Sequence, residues 1–262
     1  MPDRSAGHRK IIRIKNGVRE TLRDPIAAEA AVTIFVNQQE VITLLCTPQD
    51  IESLAVGYLF SEGIVKSADD IKSMAHDPAG GVVNVELMGD LPVEAEVFEH
   101  RALTTGCGRG SMFYTLQDRS GLVRIKSRFK IPAAKLSSYM SELQRRSDLF
   151  LTTGGAHSAA LADQWGIAYL GEDVGRHNAV DKIIGRAVLD RRALDGMALL
   201  TTGRVSSEIL VKTVRARIPA LVSRSAPTLL SVRFAQRLGV TLIGFARGSR
   251  MNIYANPHRI TD

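Results

Sequence analysis

The chain has 262 residues, of which 45% are hydrophobic and 23% charged, and its formal net charge is +7. This balance is typical of a globular protein with one large domain or two modest ones. No apolar run approaches the roughly 20 residues of a membrane-spanning helix, and the N-terminus lacks the apolar core of a signal peptide, so we expect a cytoplasmic protein without a membrane span. The positive charge favours an anionic partner, namely a nucleic acid, a phosphate-bearing cofactor or an acidic protein surface.

The N-terminal third predicts a basic arm followed by strands. Residues 1–24 are polar and basic, which predicts a mobile arm, and the alternating patch at 12–15 leads into an edge strand. Apolar residues alternate over 32–36, and residues 40–46 are mostly apolar. This pattern predicts a hairpin that turns at residues 37–39.

A helix is predicted after this hairpin. Thr47 can cap the helix, and Pro48 suits the first helical position. Apolar residues recur on one face over 51–59, as in an amphipathic helix. Gly63 is expected to end the helix, because glycine readily adopts the left-handed conformation of a C-terminal cap.

The rest of the chain predicts an α/β fold. Strands are expected over 81–87 and 93–98, and a helix from about residue 131 to 148. From Phe150 onward, short apolar runs alternate with helical segments, which predicts a mixed, mostly parallel sheet covered by helices. Its first two strands are expected to pair as a hairpin through residues 164–166.

Three regions are therefore expected along the chain. Residues 1–24 form the basic arm, and residues 25–145 form a smaller α+β part. Residues 146–262 form a C-terminal α/β domain with the sheet.

Arginines follow several predicted strands of the C-terminal part: Arg204, Arg224, Arg247 and Arg250. The carboxyl ends of neighbouring parallel strands meet at one edge of a sheet, so we expect a basic cleft rich in serine and glycine. Arginine binds phosphate through forked hydrogen bonds, and serine hydroxyls and backbone N–H groups complete such sites. Phe245 either stacks on a purine or belongs to the core.

A second polar segment, at residues 171–182, carries acidic, basic, imidazole and amide groups between glycines. It leads into a predicted helix, whose first N–H groups can bind an anion. We hypothesise that Asp173, Arg176 and His177 bind the ligand of the cleft. The alternative is a solvated turn with a good helix cap.

Other site types are disfavoured. His157 lacks the glutamate that a zinc deaminase places two residues later, since Ala159 stands there, and the chain has no Cys-x-x-Cys. No metal site is therefore expected. The serine-hydrolase elbow G-x-S-x-G and the P-loop are absent from the sequence as well.

The two cysteines, Cys46 and Cys107, differ in context. They are too few for a disulfide framework or a four-cysteine metal site. Cys46 ends an apolar run and is interpreted as a buried small hydrophobe. Cys107 lies in the glycine-rich stretch TTGCGRGS, near Arg101 and Arg109. Positive charge lowers a thiol pKa and loops expose it, so Cys107 is a candidate nucleophile, although a tight turn would also explain the glycines.

Several long motifs occur in one order along the chain: LAVGYLFSEGIV, TTGCG, TGGAHSAAL, EDVGRHNAVDKIIG, TGRVSSEILVK, SRSAPT and GFARGSRMNIY. Together they resemble the formate dehydrogenase accessory sulfurtransferase family, FdhD, over roughly residues 12–256. Such a series of motifs is far more specific than a lone short motif.

The resemblance implies a fold, a reaction and partners. The fold is a cytidine-deaminase-like α/β domain without the zinc, joined to a smaller N-terminal part, in a homodimer. Members accept persulfide sulfur from a cysteine desulfurase. They transfer it to the molybdenum cofactor with two molybdopterin guanine dinucleotides, bound as substrate, before insertion into formate dehydrogenase. GDP-like nucleotides are expected to bind the same site.

The resemblance also assigns residues. Cys107 would carry the persulfide. The cofactor would contact a segment near the C-terminus, made of Phe245, Ala246, Arg247, Gly248, Ser249 and Arg250.

The chain departs from the family pattern at Gly110. Many members carry a second cysteine there, so sulfur transfer in this chain would depend on Cys107 alone. Two alternatives stay open: a chaperone that binds the cofactor without sulfur chemistry, and, suggested by charge alone, a nucleic-acid binder. The second is disfavoured, because aromatic residues are 5% of the chain and no nucleic-acid motif is present.

Overall fold

The computed structural model describes residues 5–90 and 122–262, together with the backbone of residues 102–103. The strand predicted at 93–98 and the Cys107 loop lie outside these residues. Within the described residues, the N-terminal part has one α-helix and a series of strands. Its elements are β1 (Ala6–Lys15), β2 (Val18–Ala27), β3 (Ala30–Val36), β4 (Gln39–Cys46), α1 (Ile51–Glu62), β5 (Ile71–Asp77), β6 (Val82–Leu87) and β7 (Ala102–Leu103).

The first two strands form a separate antiparallel ribbon. The turn at Asn16 and Gly17 has positive φ at both residues, 51° and 78°, as two-residue hairpins of this twist require. Most of the segment expected to be a mobile arm is therefore an ordered ribbon. The Asn-Gly turn is a local hairpin signal, and the strands on either side of it pair along their whole length despite the polar, basic composition that suggested an arm.

A five-stranded sheet follows in the order β5-β6-β3-β4-β7. The hairpin predicted between residues 32 and 46 is confirmed as β3 and β4. Its turn residues Asn37 and Gln38 both have positive φ. Apolar side chains of this sheet pack against α1.

Helix α1 begins at Ile51, later than predicted, and Thr47 does not cap it. Instead, the Thr47 amide donates to Asp173 Oδ2 at 3.0 Å. The Thr47 hydroxyl accepts from the Val174 amide at 3.1 Å. Tertiary contacts therefore take the groups that a local cap would have used. The predicted end of the helix at Gly63 is confirmed, with φ of 83°.

The remaining elements follow in chain order. They are β8 (Ile131–Pro132), α2 (Ala133–Arg145), α3 (Asp148–Thr153), β9 (His157–Ala162), β10 (Ile167–Asp173), α4 (Arg176–Leu189), β11 (Ala198–Thr201), α5 (Ser207–Arg215), β12 (Ala220–Ser223), α6 (Leu229–Leu238), β13 (Thr241–Arg247), β14 (Arg250–Ala255) and β15 (Ile260–Thr261).

The central six-stranded sheet has the order β10-β9-β11-β12-β13-β14. The predicted α/β class, the mixed sheet and the hairpin at 164–166 are confirmed. Parallel pairing is confined to β11, β12 and β13, whereas the pattern predicted it for most of the sheet. Hairpins at both edges and the β9–β11 pair are antiparallel, because a strand followed by a helix does not dictate the direction in which the next strand enters.

Helices cover both faces of this sheet. Alternate residues such as Leu199 and Leu221 pack with α4, α5 and α6. Their neighbours, such as Leu200 and Val222, pack with α2. Strands buried on both faces read as continuous apolar runs, which is why their sequences show no alternation.

The N-terminal part shares its core with the central sheet through α1 and α4. A Cβ on Gly57 would lie 1.8 Å from the Asp181 carbonyl oxygen, and one on Gly185 would lie 1.9 Å from that of Ser53. The two backbones therefore touch, and Val56 of α1 belongs to the core beneath the central sheet. Within the residues described, none of the helices is long and apolar enough to span a membrane.

Candidate functional site

One edge of the central sheet gathers the ends of its strands. Asp173 at the end of β10 pairs with His157 at the start of β9. Thr201 and Ser223, at the ends of β11 and β12, are partners in the parallel ladder. Partners in a ladder lie about 5 Å apart, so the loops that follow these strands are close neighbours. The predicted convergence of strand ends is therefore present.

A cavity of about 310 Å³ opens at this edge. Apolar, small and basic side chains line it. They are Gln144, Ser147, Phe150, Leu151, Gly154, Gly155, Ala156, His157, Val174, Thr202 and Arg224. The mixture of apolar wall and few polar groups is typical of a small-molecule site.

Helix α3 forms one wall of the cavity and is anchored by Glu172. The Glu172 carboxylate accepts hydrogen bonds from the amides of Leu149 and Phe150, at 2.8 and 3.0 Å. It also accepts from the Ser158 hydroxyl at 3.2 Å. A carboxylate at a helix N-terminus satisfies free N–H groups and complements the helix dipole. Glu172 therefore holds α3 against the sheet edge, a role that the sequence analysis did not assign.

His157 faces the same cavity and was also missed as a site residue. Burial lowers the pKa of its imidazole, and the nearby charge of Arg176 lowers it further. The imidazole is therefore neutral at neutral pH, able to donate one hydrogen bond and accept another. The glycine pair at residues 154 and 155, separated from His157 by Ala156, is the sequence signal that could have pointed to this loop.

Arg224 and Arg247 come together as predicted. The Arg247 Nε donates to the Arg224 carbonyl oxygen at 2.9 Å. The Arg247 guanidinium carbon lies 5.8 Å from the centre of the Phe245 ring. The Phe245 backbone has a positive φ of 52° and its amide donates to Ser225 at 3.0 Å. This conformation is uncommon for an aromatic residue and is maintained by surrounding structure.

Arg176 packs against the loop after β11. A Cβ on Gly203 would lie 2.9 Å from the Arg176 Cβ, so only glycine permits this approach. The Nε atoms of Arg176 and Arg224 are buried and have no hydrogen-bond partner among the described residues. Buried donors without partners are rare, and the third such atom, in Arg259, lies away from this edge. Two of the three buried Nε atoms without a partner therefore belong to candidate binding residues.

Asp173 was expected in the cleft but is fully buried and turned toward the N-terminal part. Its carboxylate accepts from the amides of Thr47 and Gly175 and from the Asn178 side chain. It also forms an ion pair with buried Lys182. These contacts use its oxygens, so Asp173 joins β4 to α4 rather than presenting a group to the cavity.

The other candidates lie around this edge in different settings. His177 Nε2 lies 2.9 Å from Glu208 Oε2 and 3.2 Å from the Ser206 hydroxyl. Arg204 is exposed in the loop after β11. Ala246 is buried in the core on the α2 side. Gly248, Ser249 and Arg250 are exposed at the turn between β13 and β14.

Of the two cysteines, the structure describes Cys46. Cys46 is buried, and burial, more than the nearby Asp173 charge, raises the pKa of its thiol to about 12. It is therefore an inert thiol at neutral pH, as interpreted from sequence. Cys107 lies outside the described residues. The strand that precedes it, β7, runs parallel to β4, with Leu103 opposite Leu44. The end of β4 is in turn bonded to Asp173 through Thr47.

The amino-acid sequence is similar to those of known proteins. The chain is 39% identical over 254 residues to the sulfur carrier protein FdhD of Listeria innocua, covering 96% of this chain and 97% of the relative. It is 34% identical over 262 residues to the protein of that name from Bacillus subtilis, covering 100% of both chains.

A solved structure is also similar. It is a protein from Desulfotalea psychrophila described as a formate dehydrogenase accessory protein, with 28% identity and a TM-score of 0.81 over 98% of this chain and 99% of that one. The sequence profile of the FdhD/NarQ family matches residues 27–261. This chain therefore belongs to the FdhD/NarQ family.

Proposed function

We propose that this protein is a sulfur carrier that receives persulfide sulfur on Cys107 from a cysteine desulfurase. It then delivers the sulfur to the molybdenum cofactor with two molybdopterin guanine dinucleotides, before insertion into formate dehydrogenase. Relatives named sulfur carrier protein FdhD support a sulfur carrier role. The similar solved structure, described as a formate dehydrogenase accessory protein, supports a role in formate dehydrogenase maturation.

The observation that carries the proposal is the basic edge of the central sheet. Arg224 lines the cavity of about 310 Å³, and Arg176 packs against Gly203 in the loop after β11. Both bury Nε donors that lack partners in the described part of the chain. Guanidinium groups bind phosphate oxygens through paired hydrogen bonds. The pyrophosphate groups of the guanine dinucleotide cofactor fit these donors, and GDP presents the same groups.

The remaining groups at this edge suit the rest of a nucleotide. Phe245 and the apolar residues Phe150 and Leu151 offer surfaces for a base. His157, kept neutral by burial, offers one donor and one acceptor to polar edges of the ligand. The site therefore combines phosphate recognition with apolar contact, as a dinucleotide requires.

The sulfur chemistry falls to Cys107. Its thiolate attacks the outer sulfur of the desulfurase persulfide, a new S–S bond forms on Cys107, and the desulfurase cysteine leaves as thiolate. Delivery of that sulfur as sulfide takes two electrons, which a thiol reductant supplies, and Cys107 returns to a thiol. Cys46 cannot substitute, because burial raises its thiol pKa to about 12 and the thiol is protonated at neutral pH.

The second candidate function is a chaperone that binds the cofactor without carrying sulfur. Gly110 favours it, since it stands where many family members have a second cysteine. Both functions require the basic edge of the sheet, so nucleotide binding does not separate them.

Mass spectrometry separates the two functions. After incubation with desulfurase and cysteine, a sulfur carrier gains one sulfur on Cys107. Cys107→Ala abolishes this gain and the maturation of formate dehydrogenase, whereas Cys46→Ala retains both. Full maturation by Cys107→Ala would instead establish the chaperone.

A further inference from the structure

A second cavity, of about 810 Å³, opens beside β10 at one end of the six-stranded sheet. It shares no lining residue with the cavity of the candidate site. The end of α2 lies between the two, because Gln144 and Ser147 line the first cavity whereas Arg145 and Arg146 line the second. The second cavity is therefore a separate feature of the surface.

Four arginines line this second cavity, and they come from three parts of the fold. Arg145 and Arg146 lie at the end of α2, Arg186 lies in the last turn of α4, and Arg192 follows α4. We call the cavity that these four residues line the arginine pocket. Like charges repel one another, so guanidinium groups gathered around one cavity are stabilised by an anion placed among them.

Two of the four guanidinium groups are held in place by acids outside the pocket lining. Arg146 forms an ion pair of 2.8 Å with Glu142, four residues earlier on α2. Arg192 forms an ion pair of 3.1 Å with Asp163, whose side chain is buried. Side chains that are already restrained lose less conformational entropy when a ligand binds. These two guanidinium groups are therefore preorganised.

The other two guanidinium groups have no such partner. Neither Arg145 nor Arg186 forms an ion pair with any acid that the structure describes, although Asp148 and Asp190 line the same cavity. Asp190 accepts a hydrogen bond from the Tyr169 hydroxyl. Asp148 lies in the first turn of α3, where its charge complements the helix dipole. Two cations of the arginine pocket are therefore available to an external anion.

The arrangement of these cations favours phosphate as the anion. A carboxylate is planar and matches the fork of one guanidinium group. The oxygens of a phosphate group point in several directions, so a diphosphate can bind guanidinium groups that different elements supply. The volume of about 810 Å³ falls within the range of small-molecule sites, about 300–1,000 Å³. It leaves room beside a phosphate group for a larger molecule.

We propose that the arginine pocket binds the diphosphate group of a small molecule, which Arg145 and Arg186 hold from the ends of α2 and α4. Arg146 and Arg192 add positive charge around the same group. The Tyr169 ring, in β10, offers apolar surface to an organic part of the ligand. The proposal goes beyond the proposed function, because none of the residues to which that function assigns a role lines this pocket.

A rival explanation is that the unpaired arginines act only on their own helices. Arg145 and Arg186 lie in the last turns of α2 and α4, where a cation complements the helix dipole. This explanation predicts a small loss of stability when the arginines are replaced and no change in phosphate binding. Stability and binding are therefore measured on the same variants.

Calorimetric titration of the full chain with pyrophosphate and with ADP tests the proposal. The parent protein carries Arg224→Ala, which weakens the phosphate contact proposed at the sheet edge. The pocket variant adds Arg145→Gln and Arg186→Gln, and the lysine variant adds Arg145→Lys and Arg186→Lys. A matched control adds Arg233→Gln and Arg237→Gln, which removes two exposed cations of α6. Thermal unfolding confirms that each variant folds.

The parent is expected to bind one pyrophosphate or ADP per chain. The pocket variant weakens the Kd by roughly tenfold or more, because hydrogen bonds between charged groups are lost. The lysine variant falls between the parent and the pocket variant, since it keeps the charge without the fork. The control changes the Kd by less than about twofold. NMR signals of the Tyr169 ring, assigned with Tyr169→Phe, shift as either ligand is added.

The two ligands distinguish the sources of the diphosphate. Tighter binding of ADP than of pyrophosphate supports a diphosphate on an organic molecule, and equal binding supports the inorganic ion. Either result supports the proposal when the pocket variant lowers the affinity.

Other outcomes overturn the proposal. They are an absence of binding to the parent, an equal affinity of the parent and the pocket variant, and an equal loss of affinity in the pocket variant and the control. The last result would show an effect of net charge alone. The proposed function is tested separately by the gain of sulfur on Cys107, so the failure of one proposal is distinguishable from the failure of the other.

Discussion

The carboxylate of Asp173 lies 2.7 Å from Nζ of Lys182, and both side chains are buried where β4 meets α4. Lys182 also donates to the carbonyl oxygens of Thr47 and Glu172, at 3.0 and 3.1 Å. The pair thus connects the end of β4, next to the strand that precedes Cys107, with the edge that carries the cavity.

Lys182→Met is expected to destabilise the protein by about 3–5 kcal/mol, because it leaves the Asp173 charge buried without its partner. Chemical denaturation measures the free energy of unfolding. The matched control is Arg191→Gln, which breaks an exposed ion pair with Asp69 of 2.6 Å and should cost less than about 1 kcal/mol. Similar small losses for both variants would show that the buried pair does not stabilise the junction.

Gly185→Ala is expected to destabilise, although alanine normally favours a helix over glycine by about 1 kcal/mol. Its new Cβ would lie 1.9 Å from the Ser53 carbonyl oxygen, so α1 and α4 must move apart at a cost of about 1–3 kcal/mol or more. Gly196→Ala is the control, because no atom lies within 4 Å of a Cβ there. Thermal unfolding measures the stability of both variants. A Gly185→Ala variant more stable than the wild type would contradict the close contact.

The pKa of His157 should make stability fall in mild acid. Its folded pKa is lowered, chiefly by burial, so the unfolded chain binds the proton more tightly. The stabilisation is present above the ordinary pKa of about 6.5 and is lost as the pH falls toward the folded value. His157→Gln should remove that part of the pH dependence.

His258 provides the comparison for this titration, since its pKa is also lowered, by burial and nearby arginine and lysine charges. His258→Gln should leave the His157 contribution in place. NMR titration of the two ring signals assigns the pH steps. A His157 that titrates at or above its ordinary pKa would rule out a neutral imidazole facing the cavity.

Arg224→Ala is expected to weaken GDP binding by roughly 10- to 100-fold, because a hydrogen bond to a charged group contributes about 1.5–3 kcal/mol. Arg250→Ala should have a smaller effect, since Arg250 is exposed at a turn. Arg237→Ala, an exposed cation on α6, controls for the change in net charge. Calorimetry measures the three Kd values, and equal values for Arg224→Ala and Arg237→Ala would place the nucleotide elsewhere.

Local patterns account for much of the fold. Apolar periodicity located the hairpin of β3 and β4, and Gly63 correctly marked the end of α1. Both depend on interactions between residues close in the chain. Thr47 failed as a predicted cap for the opposite reason, since its partners Asp173 and Val174 lie more than a hundred residues away.

Some residues of the candidate site could likewise be predicted from local sequence, and others could not. Arginines after apolar runs could be located from sequence, and the meeting of Arg224 with Arg247 follows from neighbouring parallel strands. The inward turn of Asp173 could not be anticipated, because it depends on Lys182 and Thr47 arriving from other elements. The same holds for His157, which reaches the cavity because Glu172 anchors α3 above it.

Composition, periodicity and short-range order are enough to predict the α/β class, the basic character of the strand ends, the burial of Cys46 and the family motifs. The antiparallel pairing of β9 with β11 and the set of side chains that share the cavity emerge only in the folded molecule. These depend on which distant segments pack together, and the free energy of that packing is not encoded in any single stretch of the chain.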